Sequence, residues 1–511
     1  MYDSPQPEPG VPPSQDEPTA AAEVCHTVII GAGMSGVAAA IRLRQAGIED
    51  FVVLERSDDV GGTWRDNRYP GAACDVPGHL YAYSFAPAPQ WRTTLPTARE
   101  IHRYLRRCVT DFGLVRHLRL NSEVEQARWD APEGRWDIRA VGGRYRSRFL
   151  VVATGLLSEP HVPELAGLDT FRGPVLHTAR WDDSCNWAGK RVALIGTGAS
   201  AVQCVPHLAK ASGALSVYQR TPPWVLPRLQ RRVPAVESAL YRRRPRLRRF
   251  VRAAVYWLRE SWLLCFTGPA HRAVGAGAAV LARAHVRRQV PERELRRRLT
   301  PSYPLGCKRV LLSNDYYPAL RRTGVELVTD PIAHLSPDAV VTRDGTVRPT
   351  DVVVLGTGFQ ADQPAVARRI VGHAEQRLSD AWSGGMAADR NVMVPGFPNM
   401  FLLLGPNSGL GHSSLTLLLE AQLDYVLDCF GQLARRGLAE VEVLSETYSA
   451  YSSWLHERAR RTVWSRGGCH SWYLDSRSGR NTALWPLSVR GYRALTRRFH
   501  TAGHRVRAEE R

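Results

Sequence analysis

The sequence predicts an α/β fold built on two separate strand–turn–helix units, with a helical insertion, and three observations predict it. First, Thr27-Val-Ile-Ile-Gly31-Ala-Gly33-Met-Ser-Gly36 runs from an apolar β-branched strand through a glycine turn into a helix-compatible stretch. Second, Val192-Ala-Leu-Ile-Gly196-Thr197-Gly198-Ala-Ser200-Ala201 repeats that pattern. Third, Leu226 to Thr300 is rich in arginine and alanine at helical spacing and lacks the alternation of a strand.

Glycine lets the backbone turn tightly and approach a pyrophosphate, which then sits at the helix N-terminus. The two units therefore read as Rossmann-like dinucleotide-binding domains. The residues that follow them differ in sign. Twenty-two residues after Gly33, Glu55 closes the strand Phe51-Val-Val-Leu; twenty-two after Gly198, Arg220 closes Leu215-Ser-Val-Tyr-Gln. An acid there accepts from a ribose hydroxyl, whereas an arginine suits a 2′-phosphate. The first unit, with Gly31, Gly33 and Gly36, thus reads as a site for FAD or NAD. The second, with Gly196, Thr197, Gly198 and Ser200, reads as one for NADP. Ala201 stands where a third glycine is common, and alanine is tolerated there.

In chain order, residues 1–22 are rich in Pro, Glu and Gln and read as a disordered tail. Residues 23–160 form the first part of an FAD domain, ending at the buried strand and turn Phe149-Leu-Val-Val-Ala-Thr-Gly155. Residues 161–225 open the NADP domain and contain a linker at 171–182. Residues 226–300 are the insertion. Residues 301–360 close the NADP domain at Asp351-Val-Val-Val-Leu-Gly-Thr-Gly358. Residues 361–511 return to the FAD domain and carry the substrate loops.

The 511 residues suffice for two or three domains with a sizeable core. No uninterrupted apolar stretch is long enough to span a bilayer, and no basic segment precedes an apolar one at the N-terminus. The nine cysteines include no Cys-x-x-Cys pair, which argues against a disulfide framework, a zinc site and a dithiol reductase, and for a reducing cytoplasm. The net charge of +20 is mostly arginine, densest at Tyr241–Phe250. With no nucleic-acid motif beside it, that run reads as a solvated helix face. Val251–Leu264 continues it with apolar and aromatic residues, which leaves a weak membrane-surface contact open.

Between the two units lies Phe171-Arg-Gly173-Pro-Val-Leu-His177-Thr-Ala-Arg-Trp181-Asp182, and earlier come Gly61-Gly62-Thr63-Trp64, Tyr69-Pro70-Gly71 and Asp75. Together these motifs resemble the fingerprints of type I Baeyer–Villiger monooxygenases, which depend on FAD and NADPH. The resemblance runs from about Val24 to Trp485. It implies that Thr63, Trp64 and Tyr81 line the flavin. It also implies that His177 couples domain rotation to cofactor state. On its own, His177 reads as a hydrogen-bonded hinge histidine rather than a base, with Trp181 packed beside it. The segment Leu305-Gly-Cys-Lys308-Arg309-Val is similar to the family stretch whose arginine faces the flavin. By that resemblance Arg309 is the active-site arginine and Asp75 orients it, while Lys308 joins Arg220 and Thr221 around the 2′-phosphate. The loops Gly405–His412, Cys469–Tyr473 and Gly479–Asn481 are implied to face the ring or cover the substrate.

The implied activity is NADPH- and O2-dependent insertion of one oxygen beside a ketone carbonyl, through an anionic C4a-peroxyflavin, to give an ester or lactone. A guanidinium suits that chemistry because it stays charged and presents several donors. One alternative is a flavin-dependent N- or S-oxygenase. Another, of a different class, is a non-catalytic NADPH-sensing or membrane-associated flavoprotein.

Overall fold

The strand Glu23–Ile30 lies at the centre of the first sheet, paired in parallel with Phe51–Leu54 on one side and with Gly143–Val152 on the other. Its β-branched residues alternate between two cores, as a strand buried on both faces must. Ile29 packs with the helix Met34–Gln45 and the helices that follow, whereas Val28 and Ile30 pack toward Trp129, Trp136 and Phe397. The structure is a computed structural model that describes residues 21–87 and 91–509, so residues 1–20 of the segment read as a tail lie outside it.

Leu118–Arg119 extends this sheet beyond Phe51–Leu54, and an antiparallel meander, Val124–Asp130, Arg135–Ala140 and Gly143–Val152, extends it the other way. The strand Met400–Leu402 pairs in parallel with the end of Gly143–Val152, so the chain returns to the first sheet after leaving it. The helix Ala98–Asp111 covers one face. It starts at a capping box in which the Thr97 hydroxyl accepts from the Glu100 amide and the Glu100 carboxylate accepts from the Thr97 amide.

The second sheet is wholly parallel, in the order Val325–Val328, Ala214–Tyr218, Arg191–Ile195, Val352–Leu355, Val175–His177. Val192 and Leu194 face the helix Ala199–Ala211, while Ala193 and Ile195 pack under the small antiparallel sheet that begins at Ile332. The chain crosses between the sheets twice, near Gly155–His161 and near Thr357–Gln360. The two crossings are tied by the Pro160–Phe359 bridge and by the His161 amide donating to the Gly358 carbonyl at 2.9 Å.

Two features differ from the sequence reading. The segment 171–182 is not a free linker, because Val175–His177 is the edge strand of the second sheet, registered against Val353–Leu355. The cysteines are not all free either, because Cys307 and Cys469 form a disulfide across 162 residues. A single bridge between loops that far apart leaves no spacing pattern to read.

The region 226–300 is helical, with Ala235–Arg243, Pro245–Ser261, His271–Gln289 and Arg293–Leu299. It is pinned to the body by polar contacts. Arg252 donates to the carbonyls of His79 and Ala82, and Glu260 accepts from the Val489 amide at 2.7 Å.

Candidate active site

Both glycine turns open onto one cavity of about 1870 Å³. That exceeds the few hundred to one thousand Å³ usual for a small-ligand pocket and suits two large ligands side by side.

The glycines themselves show which positions serve the fold and which face a ligand. A Cβ on Gly36 would lie 1.8 Å from the Gly31 carbonyl oxygen. One on Gly31, at φ +100°, would lie 3.0 Å from the Ala153 carbonyl oxygen, and one on Gly196, at φ +112°, 2.5 Å from that of Gly356. These glycines let turn, helix and neighbouring strand meet. The middle glycines differ. A Cβ on Gly33 meets nothing nearer than 3.8 Å, and one on Gly198 nothing nearer than 3.9 Å. Both are helix N-caps without a side-chain cap, so helix N–H groups face the open space. A pyrophosphate fits each place by charge and by room.

Glu55 is buried and engaged through both carboxylate oxygens. Its Oε2 accepts from the Ala32 amide at 2.7 Å, and its Oε1 accepts from the Ser57 amide at 3.1 Å and from Arg65 at 3.2 Å. Spare lone pairs remain for a hydroxyl donor. Thr63 donates to the Leu157 carbonyl at 3.3 Å, and the Trp64 indole N–H donates to the Tyr81 hydroxyl at 2.9 Å with the rings edge to face. Thr63, Trp64 and Tyr81 all line the cavity.

On the other side, Arg220 is exposed, and the Thr197 hydroxyl holds the Thr221 carbonyl at 3.0 Å. Lys308 is half-buried over the Tyr303 ring, 5.4 Å from its centroid. Burial, then the nearby Arg220 charge, pull its pKa below the ordinary lysine value. Two cations held near each other with no carboxylate between them form a receptor for an anion.

A bidentate ion pair of the cavity joins Arg309 and Asp75, residues 234 apart in sequence. Arg309 Nη2 donates to Asp75 Oδ1 at 2.8 Å and Oδ2 at 2.7 Å, and Nε donates to Oδ2 at 3.1 Å. Nη1 donates to the Leu410 carbonyl at 3.1 Å, which leaves one of the five N–H groups free. Burial opposes ionisation of Asp75, but Arg309 wins and holds the carboxyl below its usual range. Arg309 is raised further above the ordinary arginine value, chiefly by Asp75. Both side chains keep about a quarter of their surface exposed, at 28% and 26%, toward the cavity. Tyr473, from the loop after Cys469, is fully buried beside Arg309, and burial pushes its hydroxyl up to about 12 against the pull of Arg309.

His177 lies apart from this pair. Its Nδ1 accepts from the Ala179 amide at 3.0 Å, and an amide can only donate, so the ring proton sits on Nε2. Nε2 lies 3.4 Å from the Thr357 hydroxyl, which donates to the His161 carbonyl at 2.5 Å. Burial lowers the His177 pKa, so the ring is neutral. It ties the edge strand to both crossings. Phe171 and Trp181 are buried in two different cores on either side of it. Gly173 is required by space, since a Cβ there would lie 2.2 Å from the Asp351 carbonyl oxygen.

Several contributors were not read from the sequence. Gln203, on the helix Ala199–Ala211, donates to the Ala73 carbonyl at 2.9 Å and accepts from the Tyr69 hydroxyl at 2.9 Å, which fixes the Tyr69–Asp75 segment to the second domain. Arg65 supplies the counter-charge of Glu55. Arg259, from the insertion, adds a second positive charge acting on Asp75. None of the three follows a spacing rule.

Residues 28–240 match the family model described as pyridine nucleotide-disulphide oxidoreductase. The chain is 44% identical over 487 residues to a Baeyer–Villiger monooxygenase of Streptomyces coelicolor, covering 95% of this chain and 93% of that protein. It is 41% identical over 492 residues to a Baeyer–Villiger monooxygenase of Pseudomonas aeruginosa, covering 96% and 93%. Among solved structures, cyclohexanone monooxygenase from Rhodococcus sp. Phi1 bound to NADP+ superposes with a TM-score of 0.86 at 28% identity, covering 96% of this chain and all of that one. With two glycine turns on one cavity, an arginine–aspartate pair between them and this identity over nearly the full length, the chain belongs to the Baeyer–Villiger monooxygenase family.

Proposed function

We propose that the protein inserts one atom of O2 beside a ketone carbonyl, so that ketone, O2, NADPH and H+ give ester or lactone, NADP+ and water. The observation that carries this reading is the bidentate Arg309–Asp75 pair facing the cavity shared by both glycine turns. FAD bound along the first turn would supply the hydride acceptor for NADPH and the means of activating oxygen. The residues supply binding, orientation and charge.

Arg309 lines the cavity beside Tyr473 with one N–H outside its bonds to Asp75 and Leu410, and it carries a charge that no working pH removes. Placed at the ketone, it stabilises the negative charge that builds on the carbonyl oxygen under nucleophilic attack. Asp75 fixes the plane of the guanidinium and lowers the net charge of the site, so the arginine is held without being neutralised. Arg220, Thr221 and Lys308 hold the 2′-phosphate of NADPH, with Gly196, Gly198 and Ser200 at the pyrophosphate. Gly31, Gly33, Gly36, Glu55, Thr63, Trp64 and Tyr81 hold FAD. His177 is a positioning residue between the two crossings. The FAD domain then comprises 23–160 and 361–511, and the NADP domain 161–225 and 301–360. A reducing cytoplasm rich in NADPH, the setting read from the cysteines, would keep Cys307 and Cys469 as thiols, so their bridge belongs to an oxidised form of the protein.

The test is turnover of the purified holoenzyme with NADPH under 18O2, using a panel of cyclic and linear ketones and one methyl sulfide. An ester or lactone that carries a single heavy oxygen is the expected product. Sulfoxide alone, with every ketone untouched, would replace this reading by heteroatom oxygenation.

A further inference from the structure

The helix Pro245–Ser261 packs Val255 and Tyr256 against the core, yet it sets two arginines beside them and carries a second apolar stripe outward. On an ordinary surface helix the apolar stripe faces the core and the charges face water. Here Arg252 turns inward to the carbonyls of His79 and Ala82, and Arg259 turns inward with its Nε buried and its guanidinium over the Trp262 ring at 5.2 Å. The outward stripe is instead aromatic and aliphatic. Phe250 is 71% exposed, Trp257 56% and Leu258 64%, and Leu247 and Leu264 prolong the stripe at either end. At about 100° per residue, Leu247, Phe250, Trp257 and Leu258 fall within an arc of about 100°, so they lie on one face of the helix. Exposed apolar residues scattered singly are ordinary, but a continuous aromatic stripe marks an interaction surface.

The charge around the stripe names its occupant. Residues 226–300 hold nineteen arginines and four glutamates, most of the chain's net charge of +20. The four glutamates are engaged elsewhere, with Arg231, His412, Arg321 and Arg297. Arg242, Arg243, Arg244, Arg246 and Arg249 make no ion pair among the described residues, and all five are exposed. Unpaired arginines at one end of an exposed aromatic and aliphatic stripe match a surface with phosphates at its rim and hydrocarbon beneath. A second copy of this chain fits poorly, since it would bring two strongly positive faces together. Nucleic acid would satisfy the arginines but leave the aliphatic side chains of the stripe without a counterpart.

We propose that the outward face of the helix Pro245–Ser261, together with the arginines that precede it, docks on an anionic phospholipid surface. No helix among the described residues is long and apolar enough to cross a membrane, so the contact is peripheral. The helix lies in the interface plane, with Phe250, Trp257 and Leu258 inserted at headgroup depth and the arginine run on lipid phosphates. The same helix leads into Glu260, which contacts His412 at 3.3 Å beside the Arg309-binding carbonyl of Leu410, so docking sets the substrate side of the cavity close to the lipid.

The experiment is sedimentation of the full-length holoenzyme with sucrose-loaded vesicles. One set is phosphatidylcholine alone and the other contains about 30% phosphatidylglycerol. The protein is expected to sediment with the anionic vesicles only, and to be released at roughly 0.5 M salt. The F250S/W257S/L258S and R242Q/R243Q/R244Q/R246Q variants are each expected to lower partition at least about tenfold. Both should retain bound FAD and ketone-dependent NADPH oxidation, which shows that they fold. Brominated lipid should quench the wild type more than Trp257→Phe. The proposal is overturned if the protein binds neither vesicle, binds both equally, or binds through a surface that neither variant affects. It is equally overturned if light scattering shows a dimer that the triple serine variant dissolves.

Discussion

The two nucleotide sites share a backbone plan and differ in how much of their chemistry is already spent. At the first turn, Glu55 is buried, paired with Arg65 and bonded by two amides before any ligand arrives. At the second, Arg220 is exposed and Lys308 stands near it without a carboxylate between them. A site whose polar groups are satisfied and enclosed suits a resident group that stays through many turnovers. A site with two unpaired cations at an open edge suits an anionic ligand that comes and goes, because charge steers its arrival and water meets its departure. Arg309 and Asp75 sit where the two halves meet, and they bridge residues from both parts of the chain.

The comparison breaks most severely at that junction. Arg309→Ala should lower ester formation by at least about two to three orders of magnitude, the cost of losing one preorganised oxyanion donor. FAD should stay bound and its reduction by NADPH should persist, because neither depends on a charge at the ketone. Stopped-flow reduction followed by product analysis checks this. Normal ester yield would refute the role assigned to Arg309. Asp75→Asn should be milder, since the guanidinium keeps its charge and loses only its orientation.

His177 comes next, and it asks whether the two halves communicate through the paired crossings. The neutral ring accepts from Ala179 and reaches Thr357, which in turn holds His161. His177→Ala removes that tie without touching either cavity wall near Glu55 or Arg220. Bound FAD should be retained while product per NADPH falls about tenfold, with the balance released as hydrogen peroxide. Loss of FAD on purification would make the histidine a structural support instead.

At the open half, Arg220→Ala with Lys308→Ala should raise the KM for NADPH by roughly ten- to a hundredfold, the range for lost charge-assisted contacts. The KM for NADH should hardly change, because NADH has no 2′-phosphate. Equal use of both cofactors by the unmodified enzyme would invalidate the assignment of the second turn.

What was legible in the sequence was local. Strand, glycine turn and helix follow one another within ten residues, and Glu55 and Arg220 fall at a fixed distance because one βα unit sets it. What stayed hidden depends on segments that meet only in the folded chain. The Leu410 carbonyl on Arg309, the Gln203 contacts to Ala73 and Tyr69, and the bridge across 162 residues carry no spacing rule. The edge strand Val175–His177 is three residues long, too short for alternation to show. The insertion teaches a sharper lesson. Periodicity identifies a helix with one apolar face, and burial rules then place that face inward, but here Arg252 and Arg259 share the inner side with Val255 and Tyr256, and Phe250 and Trp257 lie on the outer.

The smallest effect on turnover should come from the disulfide, and it bears on the open half alone. Cys307 immediately precedes Lys308 and Arg309, and Cys469 opens the loop whose His470, Ser471, Trp472 and Tyr473 line the cavity. The bridge therefore fastens the covering loop to the turn that carries Lys308 of the anion receptor. Closing a loop of 162 residues also restricts the unfolded chain by on the order of 5 kcal/mol in the chain-entropy model. Cys469→Ser should lower the thermal midpoint, while the native loop remains held by its packing around Trp464 and Tyr473. The KM for NADPH and for the ketone should rise about threefold, as a loop that opens more often releases its ligands sooner. FAD content should not move, because among the described residues no hydrogen bond or ion pair joins this loop to Gly31–Gly36. A dithiol reductant should reproduce the variant in the wild type and have no further effect on Cys469→Ser. If FAD is lost with the bridge, the two halves are not independent, and the division between a closed resident site and an open exchanging one fails.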